Sequence, residues 1–332
     1  MRFLPNPKPS PKKCSTIALV LLAFYCGPLA AAENPLQIRN TSPLAQLYGI
    51  AEFRGQRRQQ LEARFDISVA NSFTAGASDQ EFVRLDGETA VFVYQLSRGF
   101  GRKFEAGVQI PWVTHSGGRF DGLIDGFHDL FGFPDAGRPL VPRGEIDYFI
   151  QDGADLALDL TGKNTDLGDL RLWAGYELWA RGEGSLVARA QVKLPTGSPR
   201  QLTSSGAADL ALNVDYVGSP LWPYLSVSAG AGVVRLGEGE LLAQRQRRTL
   251  WTGHFGLTAR VSRSISLIGQ LDAHAALFDS GTSQLGDAVL QGTLGRRIRM
   301  TPALDLELGV VEDLSGALAA DVIFQVGLEG RF

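Results

Sequence analysis

The chain has 332 residues, with 32 basic and 35 acidic side chains, two cysteines and a formal net charge of −3 at pH 7. A mildly acidic chain is a poor electrostatic partner for nucleic acid, so we expect no nucleic-acid partner.

The first 32 residues have the pattern of a secretory signal peptide. Four basic residues precede an apolar stretch from Ile17 to Tyr25, and small residues end at Ala32, after which we expect cleavage. The apolar stretch is shorter than the roughly 20 residues of a membrane-spanning helix. Cys14 and Cys26 lie in the removed part, which excludes disulfides, thiolate metal sites and a cysteine nucleophile in the mature chain. The 300 remaining residues carry a net charge of −7, from 28 basic and 35 acidic side chains.

Beyond residue 60, apolar and polar residues alternate with a period of two, the pattern of a β-strand with two different faces. Leu61 to Val69 and Lys103 to Trp112 show it clearly. The same alternation recurs near 88–96, 168–179, 185–194, 207–216, 221–233, 249–261, 265–277, 286–297, 303–311 and 320–332.

One face of these strands is continuously apolar, and the other carries charges in mid-strand. A soluble sandwich would turn the apolar face inward, whereas a membrane barrel turns it outward into lipid. Most segments have about ten residues, the length that spans a bilayer, and short turns alternate with longer loops. Phe332 closes the last alternating strand, which is similar to the signal read by the barrel-assembly machinery. We therefore predict a transmembrane, antiparallel, up-and-down all-β barrel in the bacterial outer membrane.

The direction of the last strand fixes the strand count. If Phe332 lies in the periplasm, the short turns at 262–264 and 300–302 are periplasmic, and 155–160 must belong to an external loop. This predicts twelve strands over residues 61–332, with a long external loop at 114–165 and an N-terminal periplasmic or plug segment at 33–60. The alternative is fourteen strands, with one taken from Leu36–Ile50.

The same topology predicts two belts of outward aromatic side chains at the membrane interfaces. The predicted upper belt contains Phe73, Trp112 and Trp251. The predicted lower belt contains Tyr94, Phe104, Tyr216, Trp222 and Phe332.

Three stretches resemble an uncharacterised proteobacterial outer-membrane β-barrel family, known as a domain of unknown function. They are the segment from Pro35 to Leu44, the segment GLIDGFHDLFGFPDAGR from Gly122 to Arg138, and Lys193-Leu194-Pro195-Thr196-Gly197. The resemblance implies an outer-membrane barrel, and it implies no activity, ligand or catalytic residue. The last stretch alone also resembles strand-to-loop exits in barrels that transport hydrophobic compounds.

The external loop contains a predicted amphipathic helix. Apolar residues recur there at helical spacing, and Asp121, Asp125 and Asp129 fall on the other side. The helix would either constrict the barrel mouth as a gate, lie on the membrane surface, or only shield the mouth. Its apolar residues are Phe120, Leu123, Ile124, Phe127, Leu130 and Phe131.

Several charged residues are predicted to face the lumen, among them Arg171, Arg189 and Lys193. Antiparallel pairing across the turn at 262–264 would place His254 opposite Asp272 or His274. A proton relay or metal half-site would use such a pair, but a polar lumen network is the commoner use. The charges predict either a crosslinked polar plug or a narrow water channel.

These observations lead to three hypotheses about function. We expect a channel or transporter for small, possibly hydrophobic, solutes. The alternatives are a lipid-modifying outer-membrane enzyme and a structural or adhesive surface barrel. An enzyme acting on lipid needs an outward serine–histidine pair, which the pattern does not supply, so we expect no enzyme and no cofactor or metal. The expected partners are outer-membrane lipid, lipopolysaccharide, the assembly machinery and an unknown small solute.

Overall fold

The computed structural model describes residues 32–118, 146–218 and 224–332. These residues form fifteen β-strands, two short 3-10 turns at Ala45–Leu47 and Pro199–Gln201, and a four-residue helix, Ser283–Gly286. No helix in this part of the chain is both long and apolar enough to cross a membrane. In chain order the strands are β1 (Glu62–Ala77), β2 (Glu81–Phe100), β3 (Phe104–Ser116), β4 (Asp147–Asp152), β5 (Asp155–Leu160), β6 (Asn164–Leu167), β7 (Leu170–Arg181), β8 (Gly184–Leu194), β9 (Asp209–Val217), β10 (Leu225–Arg235), β11 (Thr249–Arg260), β12 (Ile265–His274), β13 (Val289–Thr301), β14 (Leu304–Asp313) and β15 (Val322–Arg331).

Twelve of the described strands form a closed antiparallel ring in the order β1-β2-β3 followed by β7 to β15. The ring closes at β1, where Arg64 lies opposite Gln95 of β2 and Glu329 of β15. β3 joins the ring to β7, and the remaining neighbours are consecutive along the chain. The prediction of twelve strands is confirmed. The alternative of fourteen is wrong, because residues 36–50 contain no strand and lie inside the ring.

Side chains alternate between the lumen and the lipid along each ring strand. In β9, Asp215 is 2% exposed and Asp209 is 3% exposed, whereas their outward neighbours Leu210 and Leu212 are 45% and 49% exposed. An apolar outer surface around a charged interior is the reverse of a soluble protein, and it is stable when acyl chains cover the outside. The predicted orientation of the strand faces is therefore confirmed.

The predicted aromatic belts are largely present on the outer surface. Trp112 and Trp251 are exposed near the upper ends of β3 and β11, and Phe73 is half-buried near the upper end of β1. Tyr94, Phe104, Tyr216 and Phe332 are exposed at the lower ends of their strands. Trp222 lies outside the described residues. The lower end, at which Phe332 lies, is the end predicted to face the periplasm.

The sheet extends above the ring on one side. β2 continues upward as far as Glu81, and its upper part pairs with β4, which in turn pairs with β5. Arg84 and Asp86 occupy the face of this part of β2 that would otherwise be apolar, so it is suited to water rather than lipid. The predicted external loop 114–165 thus contains strands β4 and β5 and the first two of the four residues of β6, and these strands cover sheet edges that would otherwise be unpaired.

Residues 32–60 lie inside the ring, and we call this segment the plug. Its first residues are at the lower end, where the Glu33 carboxylate accepts a hydrogen bond from Ser266 Oγ at 2.8 Å. The segment rises to the upper end, where Asn40 Nδ2 donates to the Leu318 carbonyl at 2.8 Å. It then returns downward, and Arg58 reaches Glu62 at the start of β1, with Nε to Oε2 at 3.0 Å. Two passes of backbone therefore fill the lumen.

An apolar cluster closes the upper end of the lumen, and we call it the upper cap. The top of the plug contributes Leu44, Leu47 and Tyr48, which pack among apolar side chains from the upper loops and strand ends. Tyr48 meets Phe278 edge-on, with ring centroids 6.0 Å apart. The other large members are Val83, Leu85, Ile146, Tyr148, Ile150, Leu202, Val234, Leu236, Leu242, Leu250, Leu277, Leu285, Val289 and Leu318.

Candidate functional site in the barrel lumen

The plug is held at mid-height by one carboxylate that four side chains contact. Glu52 Oε1 accepts hydrogen bonds from Arg39 Nη2 at 2.5 Å and from Arg171 Nη1 at 2.7 Å. Its Oε2 accepts from Arg54 Nη2 at 3.1 Å and from Gln109 Nε2 at 2.8 Å. Arg171 and Gln109 belong to the wall, so Glu52 ties the plug to β7 and β3.

Arg54 extends this network across the lumen from the plug. Its Nη1 donates to Gln95 Oε1 of β2 at 2.8 Å, and its Nη2 donates to Gln191 Oε1 of β8 at 3.3 Å. The guanidinium also lies over the Trp173 ring, 4.8 Å from the centroid. A planar cation with five donors suits this position, because it reaches several strands at once.

A second network joins the plug backbone to β8, β3 and β9. Arg189 Nε donates to Glu105 Oε1 at 2.7 Å, and Arg189 also pairs with Asp215. Asp215 Oδ2 in turn accepts from the backbone N–H of Arg54 at 2.9 Å, and Glu105 Oε2 accepts from that of Arg58 at 2.6 Å. These are charge-assisted hydrogen bonds, which are stronger than neutral ones.

Lys193 is fully buried near the top of the lumen. Its Nζ donates to the Leu47 carbonyl of the plug at 2.8 Å, to Asp169 Oδ2 at 2.6 Å and to Ser205 Oγ at 2.6 Å. Asp209 Oδ2 lies 3.3 Å from the same nitrogen. The ammonium therefore has oxygen partners on every donor, and it connects the top of the plug to the wall.

His254 lies opposite Asp272, one of the two arrangements that the sequence predicts. Its Nδ1 is 3.0 Å from Asp272 Oδ1, and its Nε2 is 2.9 Å from Ser228 Oγ. This order of contacts is that of a serine–histidine–aspartate triad. However, Phe53 of the plug stacks on the imidazole at 5.4 Å between centroids, and Ser228 is buried. Phe53 therefore covers one face of the imidazole, and the hydroxyl belongs to a buried serine.

His274 faces the lumen but does not contact His254 in the described structure. Its Nε2 lies 3.1 Å from Asn40 Nδ2 of the plug, and its Nδ1 lies 2.8 Å from the Ala275 carbonyl. The alternative pairing of the two histidines is therefore wrong, because the register places Thr252 opposite His274. Among the residues that the structure describes, no group of three or more His, Cys, Asp and Glu is placed to hold a metal ion.

A cavity of about 350 Å³ opens at the lower end of the lumen, and we call it the vestibule. Both ends of the plug line it, together with charged residues from β1, β13, β14 and β15. Its volume lies within the range of small-molecule sites. A second cavity, beside Tyr48 and Arg171, measures about 20 Å³, which is about the room that one water needs.

Two sets of inward-facing side chains define the electrostatics of the wall. The wall carboxylates are Glu62, Asp66, Glu105, Glu177, Asp209, Asp215, Asp272, Asp305, Glu307 and Glu329. The wall cations are Arg64, Arg171, Arg189, Lys193, Arg260, Arg297, Arg299 and Arg331.

The two carboxylates of the plug are ionised more readily than free glutamate. Burial opposes ionisation of Glu33, but Arg297 and Arg260 outweigh it and lower the pKa of this carboxyl below 4.5. Burial likewise opposes ionisation of Glu52, and Arg39, Arg54 and Arg171 lower its pKa still further. Both groups are therefore negative at neutral pH and hold the plug to cations.

The sequence-predicted lumen residues all face the interior, but they form separate groups. Arg171, Arg189 and Lys193 each contact the plug, whereas Asp272 reaches it indirectly, through His254 and through Gln270. Reasoning from the sequence missed Glu33, Glu52, Arg54 and Arg58, the plug residues that complete the network. The available signal was a dense run of arginines at 54–58 directly before the first alternating strand. The predicted loop helix, with all six of its apolar residues, lies outside the described residues.

A family model described as "Protein of unknown function (DUF3187)" matches residues 15–332. Among solved structures, the chain is similar to the COG4313 outer membrane channel from Pseudomonas putida F1, with a TM-score of 0.54 and 12% identity over 84% of this chain and 97% of that chain. It is more distantly similar to the NanC porin, with a TM-score of 0.46 and 8% identity over 82% and 100% of the two chains. The first likeness shows a shared barrel fold, and the second is too distant to add to it. A search of curated proteins finds no match.

Proposed function

Since this chain belongs to the DUF3187 family and folds as an outer-membrane β-barrel, we propose that it is a gated channel for small solutes, with the plug as its gate. The observation that carries the proposal is that the plug is not part of the wall. The ring closes through β1 and β15 without it, and side-chain contacts hold it inside a polar lumen. Such a segment can leave its position while every strand pairing is retained. The similarity to a protein described as an outer membrane channel supports this reading.

A solute would meet two different surfaces on its way through the open channel. The upper cap is apolar, and the lumen below it is charged. The apolar cap is the feature that supports a solute with a hydrophobic part. The charged lumen requires that the solute, or the water around it, satisfy ionised side chains.

We propose a passive channel rather than an enzyme. Phe53 covers His254 and Ser228 is buried, so replacing His254 with alanine should leave lipid hydrolysis unchanged. The further partners that we propose are lipopolysaccharide on the outer side and the assembly machinery for the terminal strand. Arg245 and Arg248 in the upper loops already pair with Asp152 and Glu238, at 2.6 Å and 2.5 Å, so a lipid phosphate would compete with these acids.

The absence of cysteine from the expected mature chain permits a reversible lock as the test. A Cβ at residue 49 would lie 2.9 Å from the Asp209 Cβ, close enough for a disulfide after a small backbone shift. We would introduce Gly49→Cys and Asp209→Cys together and record single-channel currents in planar bilayers. The oxidised form should be silent, and the same molecules should conduct after reduction.

The single variant Asp209→Cys serves as the matched control, because reduction should not change its current. Equal conductance of the oxidised and reduced double variant would show that the plug is not the gate. A reduced double variant that inserts fully and never conducts would refute the channel itself.

A further inference from the structure

The charges of the plug and of the wall differ in sign. The plug contributes Arg39, Arg54, Arg57 and Arg58 against Glu33 and Glu52, which is a positive excess. Among the described residues, the wall carboxylates outnumber the wall cations defined above, which is a negative excess. The closed lumen is close to neutral because the two offset each other. Displacing the plug therefore leaves a lumen with a negative wall.

The basic part of the plug lies against carboxylates of five strands. Arg57 Nε is 3.7 Å from Glu177 Oε2, and Arg58 Nη2 is 4.0 Å from Glu329 Oε2. Arg58 also pairs with Glu62, while Glu105 and Asp215 accept from plug backbone N–H groups. A chain segment with a high density of guanidinium groups thus occupies a groove built from acidic side chains.

The vestibule gives a free solute access to this groove. It is lined by Arg57 and Arg58 of the plug and by Glu62 and Glu329 of the wall. Five wall arginines also line it, and each of them pairs with Glu33 or with a carboxylate of β14 or β15. Gln37, which is 6% exposed, also lines it, and its Nε2 has no hydrogen-bond partner among the described residues. A small molecule that carries a cation and a hydrogen-bond acceptor would satisfy both the carboxylates that face Arg57 and Arg58 and this amide.

Resting on the proposed channel function, we infer that the open channel selects cations, and that Arg54–Arg58 of the plug occupies the path of small guanidinium- or amine-bearing solutes. A negative excess of charge on the wall of a narrow pore raises the local concentration of cations and disfavours anions. The plug arginines act as an internal competitor. A cationic solute of the same chemistry displaces them from the wall carboxylates. The plug then leaves its position, so binding of the solute opens the channel.

Reversal potentials across a KCl gradient test this inference on the full chain. We would use Glu52→Gln to weaken the hold on the plug, since this variant leaves every wall carboxylate in place. Its current should favour K⁺ over Cl⁻ several-fold. Adding Glu62→Gln and Glu177→Gln, whose ion-pair partners Arg58 and Arg57 belong to the plug, should bring the permeability ratio close to one. Adding Glu238→Gln instead, in an exposed upper loop, should leave the ratio unchanged.

A solute pair tests the proposed competitor directly. Nα-acetylargininamide should raise the open probability of the wild-type channel several-fold, whereas Nα-acetylcitrullinamide, which has nearly the same shape and no charge, should have little effect. This inference is wrong if the current prefers Cl⁻ or neither ion and the channel responds equally to the two amides. That result would not contradict the proposed channel function. A Glu52→Gln protein that inserts as a folded barrel and carries no current at all overturns the channel proposal instead.

Discussion

Replacing Glu52 with glutamine removes the one plug carboxylate that Arg39, Arg54 and Arg171 share. Two of those guanidiniums, of Arg54 and Arg171, are buried, and Glu52 is 4% exposed. Breaking a buried ion pair by removing one partner costs about 3–5 kcal/mol, because the other charge remains desolvated without compensation. In an open lumen, water solvates the same arginines. The loss of Glu52 therefore raises the free energy of the closed state more than that of the open state.

A destabilisation of the closed state by about 3 kcal/mol corresponds to about a 150-fold larger ratio of open to closed channels. We would measure open probability in planar bilayers, together with protease cleavage of the plug from the lower side. Both should rise in Glu52→Gln, while the barrel keeps its thermal unfolding temperature in detergent. Glu238→Gln, which removes an exposed acid paired with Arg248, should match the wild type. An unchanged open probability with a fully protected plug would refute the assignment of Glu52 as the central anchor.

Four further outcomes follow from the same structure. Lys193→Met leaves Asp169 and Asp209 without their shared cation, and it should destabilise the folded protein by about 3–5 kcal/mol in detergent unfolding experiments. The pKa of Glu33 is lowered in the folded protein, so its contribution to plug binding is complete above pH 4.5 and is lost as the pH falls through the lowered pKa. Conductance should therefore increase on acidification below pH 4.5. Phe278→Ala removes a fully buried ring from the upper cap, and it should cost about 3–5 kcal/mol in thermal unfolding, whereas exposed Leu290→Ala should not. Phe332→Ser should slow barrel assembly in cells without changing the stability of refolded protein, since this exposed side chain lies at the chain end.

The sequence determined the ring, because each β-strand shows locally as an alternation of apolar and polar residues. Alternation along Leu210 to Tyr216 fixes which side chains share a face, and the charge on the other face requires that the apolar side meet lipid. The parity of the strands, counted back from Phe332, predicted twelve strands and excluded 155–160 from the ring, and the structure confirms both. The short turn between neighbouring strands also restricted the partner of His254 to Asp272 or His274, and the structure selected Asp272.

Only the tertiary structure decided what fills that ring. The plug has no period, and its partners are distant in the chain: Glu52 meets Arg171, and Glu33 meets Arg297. The residues next to a carboxylate in an irregular segment do not indicate which guanidinium it will contact. Many such ion pairs have similar energies until the wall of the barrel has closed around the segment. The sequence therefore left a polar plug and an open water channel as equal readings of the same inward charges. The structure shows a plugged lumen, because residues 32–60 fold into it. Each buried charge of the wall needs a partner, and the two passes of the plug backbone supply such partners.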